Sequence, residues 1–251
     1  MKAFLLAGGR GERLRPLTLQ VPKCLVPVRG VPLLERWLRA CEREGIEHVF
    51  LNVSQHAELV ERFLEERPAG SVPVRLVKEP EPLGTAGTVL ANRGFVDGEE
   101  TFWVIYSDNL TDMTLAPMLD CHRSHDSLLT MALFRTDSPR SAGIVELDED
   151  GWITSFSEKP AAPRSNLANA GLYLVRRPVL DLIPSGLPLA DFGHHVLPAL
   201  IGRMHGYVVP GFYADIGTPA ALARAEAAWA DMESRSGEVV RDGSRAGGAL
   251  A

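Results

Sequence analysis

Compact apolar runs and amphipathic stretches alternate along the first half of the chain. Lys2 to Leu6 suits a buried strand and turns at once into Gly8, Gly9 and Gly11. Pro32 stands at a first helical position. Beyond it Leu33, Leu34, Trp37, Leu38 and Cys41 share one face, Glu35, Arg36, Arg39 and Glu42 share the other, and Gly45 is the stop. Val49 to Val53 reads as the next strand, and Leu59, Val60, Phe63 and Leu64 mark a second amphipathic helix ended by Pro68. Val74 to Val77 suits a third strand, a helix is predicted from about Thr85 to Asn92, and Thr101 to Tyr106 is the most apolar strand candidate. Strand and helix in alternation predict an α/β protein of Rossmann-like kind, with a mixed, mainly parallel central sheet covered by helices on both faces.

The second half is patterned less regularly. After a helix around Leu115 to His125 come a strand from Leu128 to Phe134 and a hairpin, Gly143 to Leu147 with Trp152 to Phe156, turned at Asp150-Gly151. Leu172 to Val175 reads as a strand, Phe212 to Asp215 ends another, and Pro219 opens an alanine-rich helix running to about Trp229. These elements predict a smaller lobe built onto the first sheet. The expected organisation is one domain over residues 1–233, with halves of about 1–125 and 126–233. Residues 234–251 turn to Gly, Ser, Arg and Ala and read as a mobile tail.

Composition narrows the partners. A net charge of −6 over 251 residues argues against general binding to nucleic acid or to an anionic membrane, so positive charge matters only where it is local. Cys24, Cys41 and Cys121 are too few and too scattered for a disulfide framework and point to a reducing cytoplasm. The apolar run before the glycines is too short for a signal-peptide core or a membrane span. His122 and His125 lie three apart and His194-His195 are adjacent, yet neither set has the further Cys, His or acid spacing of a zinc site. The oligomeric state stays open, a homo-oligomer being compatible.

Local positive charge gathers between Leu6 and Val28. Glycines after a strand let backbone N–H groups turn toward an anion, and Arg10, Arg13, Arg15 and Lys23 add fixed charges that suit a polyphosphate. Gly11 is followed by Glu12-Arg13, which excludes the Gly-Lys-Ser/Thr phosphate loop, and Leu14 and Val31 exclude the dinucleotide fingerprint. Asp108 arrives just past the carboxyl end of a strand and Asp215 ends another. Acids there hold metals or riboses, though they also stabilise turns locally.

The run LAGGRGERLRPLT followed by PKCLVPV resembles the signature of the sugar-phosphate nucleotidyltransferases, mannose-1-phosphate guanylyltransferases in particular. The resemblance continues through EPLGTAG (Glu81 to Gly87), YSDNL (Tyr106 to Leu110), EKP (Glu158 to Pro160), NAGLY (Asn169 to Tyr173) and DIGTP (Asp215 to Pro219). Two departures stand out. Glu12 replaces a frequent Thr or Ser and puts a negative charge beside the expected phosphates, and Ser107 replaces a usual Gly.

The resemblance implies transfer of a nucleotide from a nucleoside triphosphate to a sugar 1-phosphate, with Mg²⁺ as cofactor. It implies roles for Arg13, Lys23 and Asp108 in catalysis, for Asp108 and Asp215 as metal ligands, and for Leu6, Ala7, Gly8, Gly9, Glu79, Gly84 and Thr85 around the nucleotide. Gly143, Glu158, Lys159 and Asn169 are expected at the sugar phosphate. GTP with mannose 1-phosphate is the favoured pair, because a carboxylate at Glu79 can accept the two adjacent donors of guanine; UTP or dTTP with a glucose-type phosphate is the alternative. Two other classes compete: a nucleotide-sugar sensor without turnover, and a glycosyltransferase, whose usual Asp-x-Asp is not met by Asp108-Asn109-Leu110.

Overall fold

The computed structural model describes the backbone of residues 1–245 and side chains to residue 234. The first half builds its sheet from β1 (Lys2–Ala7), β4 (His48–Val53), β5 (Val74–Lys78) and β6 (Thr101–Tyr106), all parallel in the order β6-β1-β4-β5. Between β1 and β4 lie the small hairpin β2 (Pro27–Val28) and β3 (Val31–Pro32) and then α1 (Leu33–Arg43). The helices α2 (Ala57–Glu65) and α3 (Thr85–Ala91) follow β4 and β5. Leu34, Trp37, Leu38 and Cys41 of α1 pack with Leu5, Leu51 and Ile105 on one face of the sheet, while Phe4, Phe50, Phe102 and Val89 fill the other.

β7 (Asn109–Thr111), α4 (Ala116–Ser124) and β8 (Leu129–Arg135) lead into the hairpin β9 (Gly143–Leu147) and β10 (Ile153–Glu158), then β11 (Leu167–Arg176), β12 (Met204–Val208), β13 (Tyr213–Asp215) and α5 (Pro219–Arg245). The first lobe is parallel, but the second joins the same sheet through antiparallel pairings of β11 with β6, β8 and β9, with β12 parallel to β8 at the edge. One nine-stranded mixed sheet therefore runs through both halves.

Two expectations need correcting. β11 begins five residues before the expected Leu172, so Asn169 lies inside a strand. Gly171, at φ +66°, breaks the register between Asn169 and Tyr173 there, and a period-two pattern does not reveal such a bulge. The last helix also passes Trp229 and continues to Arg245, although Ser, Gly and Asp are frequent in its last two turns and do not favour helix. The expected tail from Ser234 thus starts as helix, and residues 246–251 lie outside the described residues. Ala225 and Trp229 of α5 bury against Leu14, Val28, Leu33, Leu110 and Ile216, which fastens α5 to the segment carrying the glycine loop.

Candidate active site

The glycine loop leaves the carboxyl end of β1. A Cβ on Gly8 would stand 2.5 Å from Asn52 Nδ2, so only glycine lets the chain pass that close; Gly9 faces open space. Gly11 takes φ +62° and its carbonyl accepts a 2.8 Å hydrogen bond from the Thr18 hydroxyl, which folds the arginine segment back toward the sheet. A cavity of about 260 Å³ opens there. Leu6, Ala7, Gly8 and Gly9 form one wall and Glu79, Gly84 and Thr85 another.

Glu79 is 6% exposed, and its two oxygens differ. Oε2 accepts from Asn52 Nδ2 and from the Thr88 hydroxyl, both at 2.9 Å, whereas Oε1 is buried without a partner. Asn52 is itself held, its Oδ1 accepting from the Ala7 amide at 2.9 Å. A buried acceptor with one oxygen pinned and the other without a partner calls for a donor, which a water or a ligand can supply. Gly84, at φ +81°, would drive a Cβ into the Ala190 carbonyl, which already accepts from the Ala86 and Gly87 amides. The Thr85 hydroxyl donates to Asp191 Oδ2 at 3.0 Å and accepts from the Phe192 amide at 2.9 Å. Thr85 therefore ties the loop to the second half, and its hydroxyl is already engaged.

At the other end of the cavity, Lys23 is nearly buried and donates to Asp108 Oδ2 at 2.7 Å, with Asp215 Oδ1 at 3.7 Å. Antiparallel pairing of β13 with β7 sets Asp215 opposite Asn109, the residue after Asp108. Two carboxylates distant in sequence are brought to one ammonium in this way. Half-exposed at 39% and 51%, they form an oxygen donor set that fits a small hard divalent cation, which keeps several waters of its own. Arg13 and Lys23 line an adjoining cavity of about 460 Å³ with Gly9 and Asp108. Glu12 turns to Arg15 at 3.8 Å, and the Ser107 hydroxyl donates to the Leu6 carbonyl at 3.0 Å. The Ser107 departure is thereby accommodated, whereas Glu12 lines the adjoining cavity beside Arg13 and Lys23. Cys24 also lines the first cavity, but burial pushes its thiol up to about 12, so it is neutral and no nucleophile.

The expected sugar-phosphate residues gather around the end of β10. Glu158 pairs with Gly143, where a Cβ would stand 2.8 Å from Glu158 Oε2, and Lys159 Nζ lies 3.6 Å from Glu158 Oε1 while its side chain is 62% exposed. Asn169 donates to the Tyr173 hydroxyl at 2.6 Å and accepts from the Gly171 amide at 2.9 Å, so both ends of its amide are engaged within the protein. Asp191 and Asn52 are missed by sequence reading. Asp191 lines the cavity, and Gly193 lies between its carboxylate and that of Glu158, linking the two groups of residues. Its Asp-Phe-Gly context, an acid accepting from the amide two residues on, was the available signal.

The profile of the family described as Nucleotidyl transferase matches residues 2–232. The chain belongs to this family. The mannose-1-phosphate guanylyltransferase of Mycobacterium tuberculosis is 37% identical over 229 residues, covering 90% of this chain and 63% of that protein. The catalytic subunit beta of a mannose-1-phosphate guanylyltransferase from Danio rerio is 37% identical over 225 residues, 87% of this chain and 62% of its own length. The chain thus spans less than two thirds of these curated relatives. Among solved structures, a candidate glucose-1-phosphate thymidylyltransferase from Bacillus anthracis, in complex with a sucrose, superposes with a TM-score of 0.79 at 25% identity, covering 90% of this chain and 94% of that one.

Proposed function

We propose that this protein joins a nucleoside triphosphate to a sugar 1-phosphate, releasing pyrophosphate and a nucleoside-diphosphate sugar, with GTP and mannose 1-phosphate as substrates. The observation that carries this reading is the convergence of Lys23, Asp108 and Asp215 at the mouth of a glycine-walled cavity whose far end holds an acceptor oxygen of Glu79 without a partner. In the reaction a sugar-phosphate oxygen bonds to the α-phosphorus while the bond to the bridging oxygen of the β-phosphate breaks. The attacking phosphate is already ionised at neutral pH, so neither a protein nucleophile nor a general base is required. The barrier lies in bringing two anions into line.

The residues divide that work. Gly8 and Gly9 admit the nucleotide backbone, Arg13 binds the β- and γ-phosphates that leave, and Lys23 turns its ammonium onto the reacting phosphate. Lys159 grips the sugar phosphate from its exposed position beside Glu158, while Glu158, the Gly143 backbone and Asn169 shape the sugar pocket. Asp108 and Asp215 would hold Mg²⁺, which when bound supplies positive charge against the phosphates. Glu79 Oε1 accepts from the adjacent N1–H and 2-amino donors of guanine. With Oε2 occupied by Asn52 and Thr88, the two donors share one oxygen. The names of the relatives favour the same substrates. Among the described residues no helix is long and apolar enough to cross a membrane.

Pyrophosphate release from four nucleoside triphosphates, each with several sugar 1-phosphates, tests the proposal. The GTP and mannose 1-phosphate pair is expected to turn over fastest. Release of nucleoside diphosphate from a preformed nucleotide-sugar, with no pyrophosphate from any pair, would assign a glycosyltransferase, and binding of a nucleotide-sugar without either release would assign a sensor.

A further inference from the structure

Outside the cleft, the carboxyl end of α4 and the edge strand β12 bring together Cys121, His125 and His205, none of which lines the cavities of Lys23 and Glu79. Cys121 and His125 are four apart and so share a face at the helix end. Cys121 Sγ lies 3.6 Å from His205 Nδ1 and 4.0 Å from His125 Nδ1, and one possible ligand atom from each of the three falls within 4.8 Å of the others.

One of the two imidazoles, His205, is oriented as a ligand is. His205 Nε2 lies 3.0 Å from the Asp150 carbonyl, so its N–H donates there and the Nδ1 lone pair faces the sulfur. His125 Nδ1 lies 2.8 Å from the Cys121 carbonyl, which leaves Nε2 as its lone-pair nitrogen. Trp152 closes edge-on over both rings.

We propose that Cys121, His205 and His125 form a zinc site that clamps the end of α4 to β12, with water as the fourth ligand. Bonds of about 2.3 Å to sulfur and 2.0–2.1 Å to nitrogen at a tetrahedral centre put those atoms roughly 3.5 Å apart, close to the Cys121–His205 spacing. The two rings are stacked at 3.7 Å, so their lone pairs do not converge as they stand. His125, just beyond the helix, must swing for the third bond to form. Sequence reading weighed His125 only with His122 and found no zinc spacing there, and His122 is buried and bonded to Thr130.

The test uses the full chain carrying Asp108→Asn and Asp215→Asn, so that the carboxylate pair takes no metal. After chelation, Co²⁺ alone is expected to bind one equivalent with a thiolate-to-cobalt charge-transfer band, and Zn²⁺ to displace it and raise the thermal midpoint. Cys121→Ser removes the band, and His205→Gln or His125→Ala weakens affinity by about tenfold or more. Absence of the band in the parent, its survival in Cys121→Ser, or unchanged affinity in His125→Ala overturns the three-ligand site. If Cys121→Ser does not fold, the two histidine variants decide.

Discussion

Replacing Glu79 by glutamine exchanges one carboxylate oxygen for an amide. Asn52 Nδ2 and the Thr88 hydroxyl both donate to Oε2 at 2.9 Å, so the single oxygen of glutamine must stay there, because an amide nitrogen would face two donors. The NH₂ group then occupies the place of Oε1, the buried oxygen without a partner. Guanine would meet donors where it had met an anionic acceptor. A hydrogen bond to a charged group contributes about 1.5–3 kcal/mol, and losing it lowers kcat/KM for GTP by roughly ten- to 150-fold. Uracil offers only N3–H to this oxygen, so UTP loses less and the gap between the two nucleotides narrows. The assay is pyrophosphate release at saturating mannose 1-phosphate with each triphosphate varied, alongside circular dichroism to confirm the fold. A wild type that prefers UTP or dTTP, or a Glu79→Gln variant with unchanged ranking, refutes the guanine assignment and leaves nucleotidyl transfer standing.

Asp108→Asn and Asp215→Asn are each expected to cut magnesium-dependent turnover by about 10²-fold or more without loss of fold, measured as kcat and thermal midpoint; a near-normal rate removes that residue from the ligand set. Lys23→Ala should depress kcat more than it raises KM for the triphosphate, whereas the exposed Lys159→Ala should mainly raise KM for the sugar 1-phosphate. If both act on the same substrate, the division of roles between them is wrong. Gly84→Ala forces a side chain to φ +81° and against the Ala190 carbonyl, so urea unfolding should show a loss of roughly 1–3 kcal/mol or more, together with weaker nucleotide binding. Unchanged stability and affinity would mean that the loop does not need this lock.

Local patterning made much of this fold legible. The apolar runs that became β1, β4, β5 and β6 and the amphipathic faces of α1 and α2 lie where period and proline place them, because each buries one face against a single sheet. What escaped was set by long-range pairing. β12 carries His205-Gly206 in its middle and has no clean alternation, so only its partner β8 makes it a strand. Asp108 and Asp215 could be named from motifs, but only the pairing of β7 with β13 puts them at one lysine. Asn52 looked like a strand residue, and its grip on Glu79 depends on β4 lying beside β5. In the same way Cys121 and His205 are 84 positions apart, beyond the reach of any spacing rule.

The central claim is the transfer of a nucleotide onto a sugar phosphate with loss of pyrophosphate. GTP labelled at the α-phosphorus, incubated with mannose 1-phosphate and Mg²⁺, should deliver its label to GDP-mannose in step with unlabelled pyrophosphate. Label recovered as free GDP or GMP, or an unchanged triphosphate pool, would contradict the account.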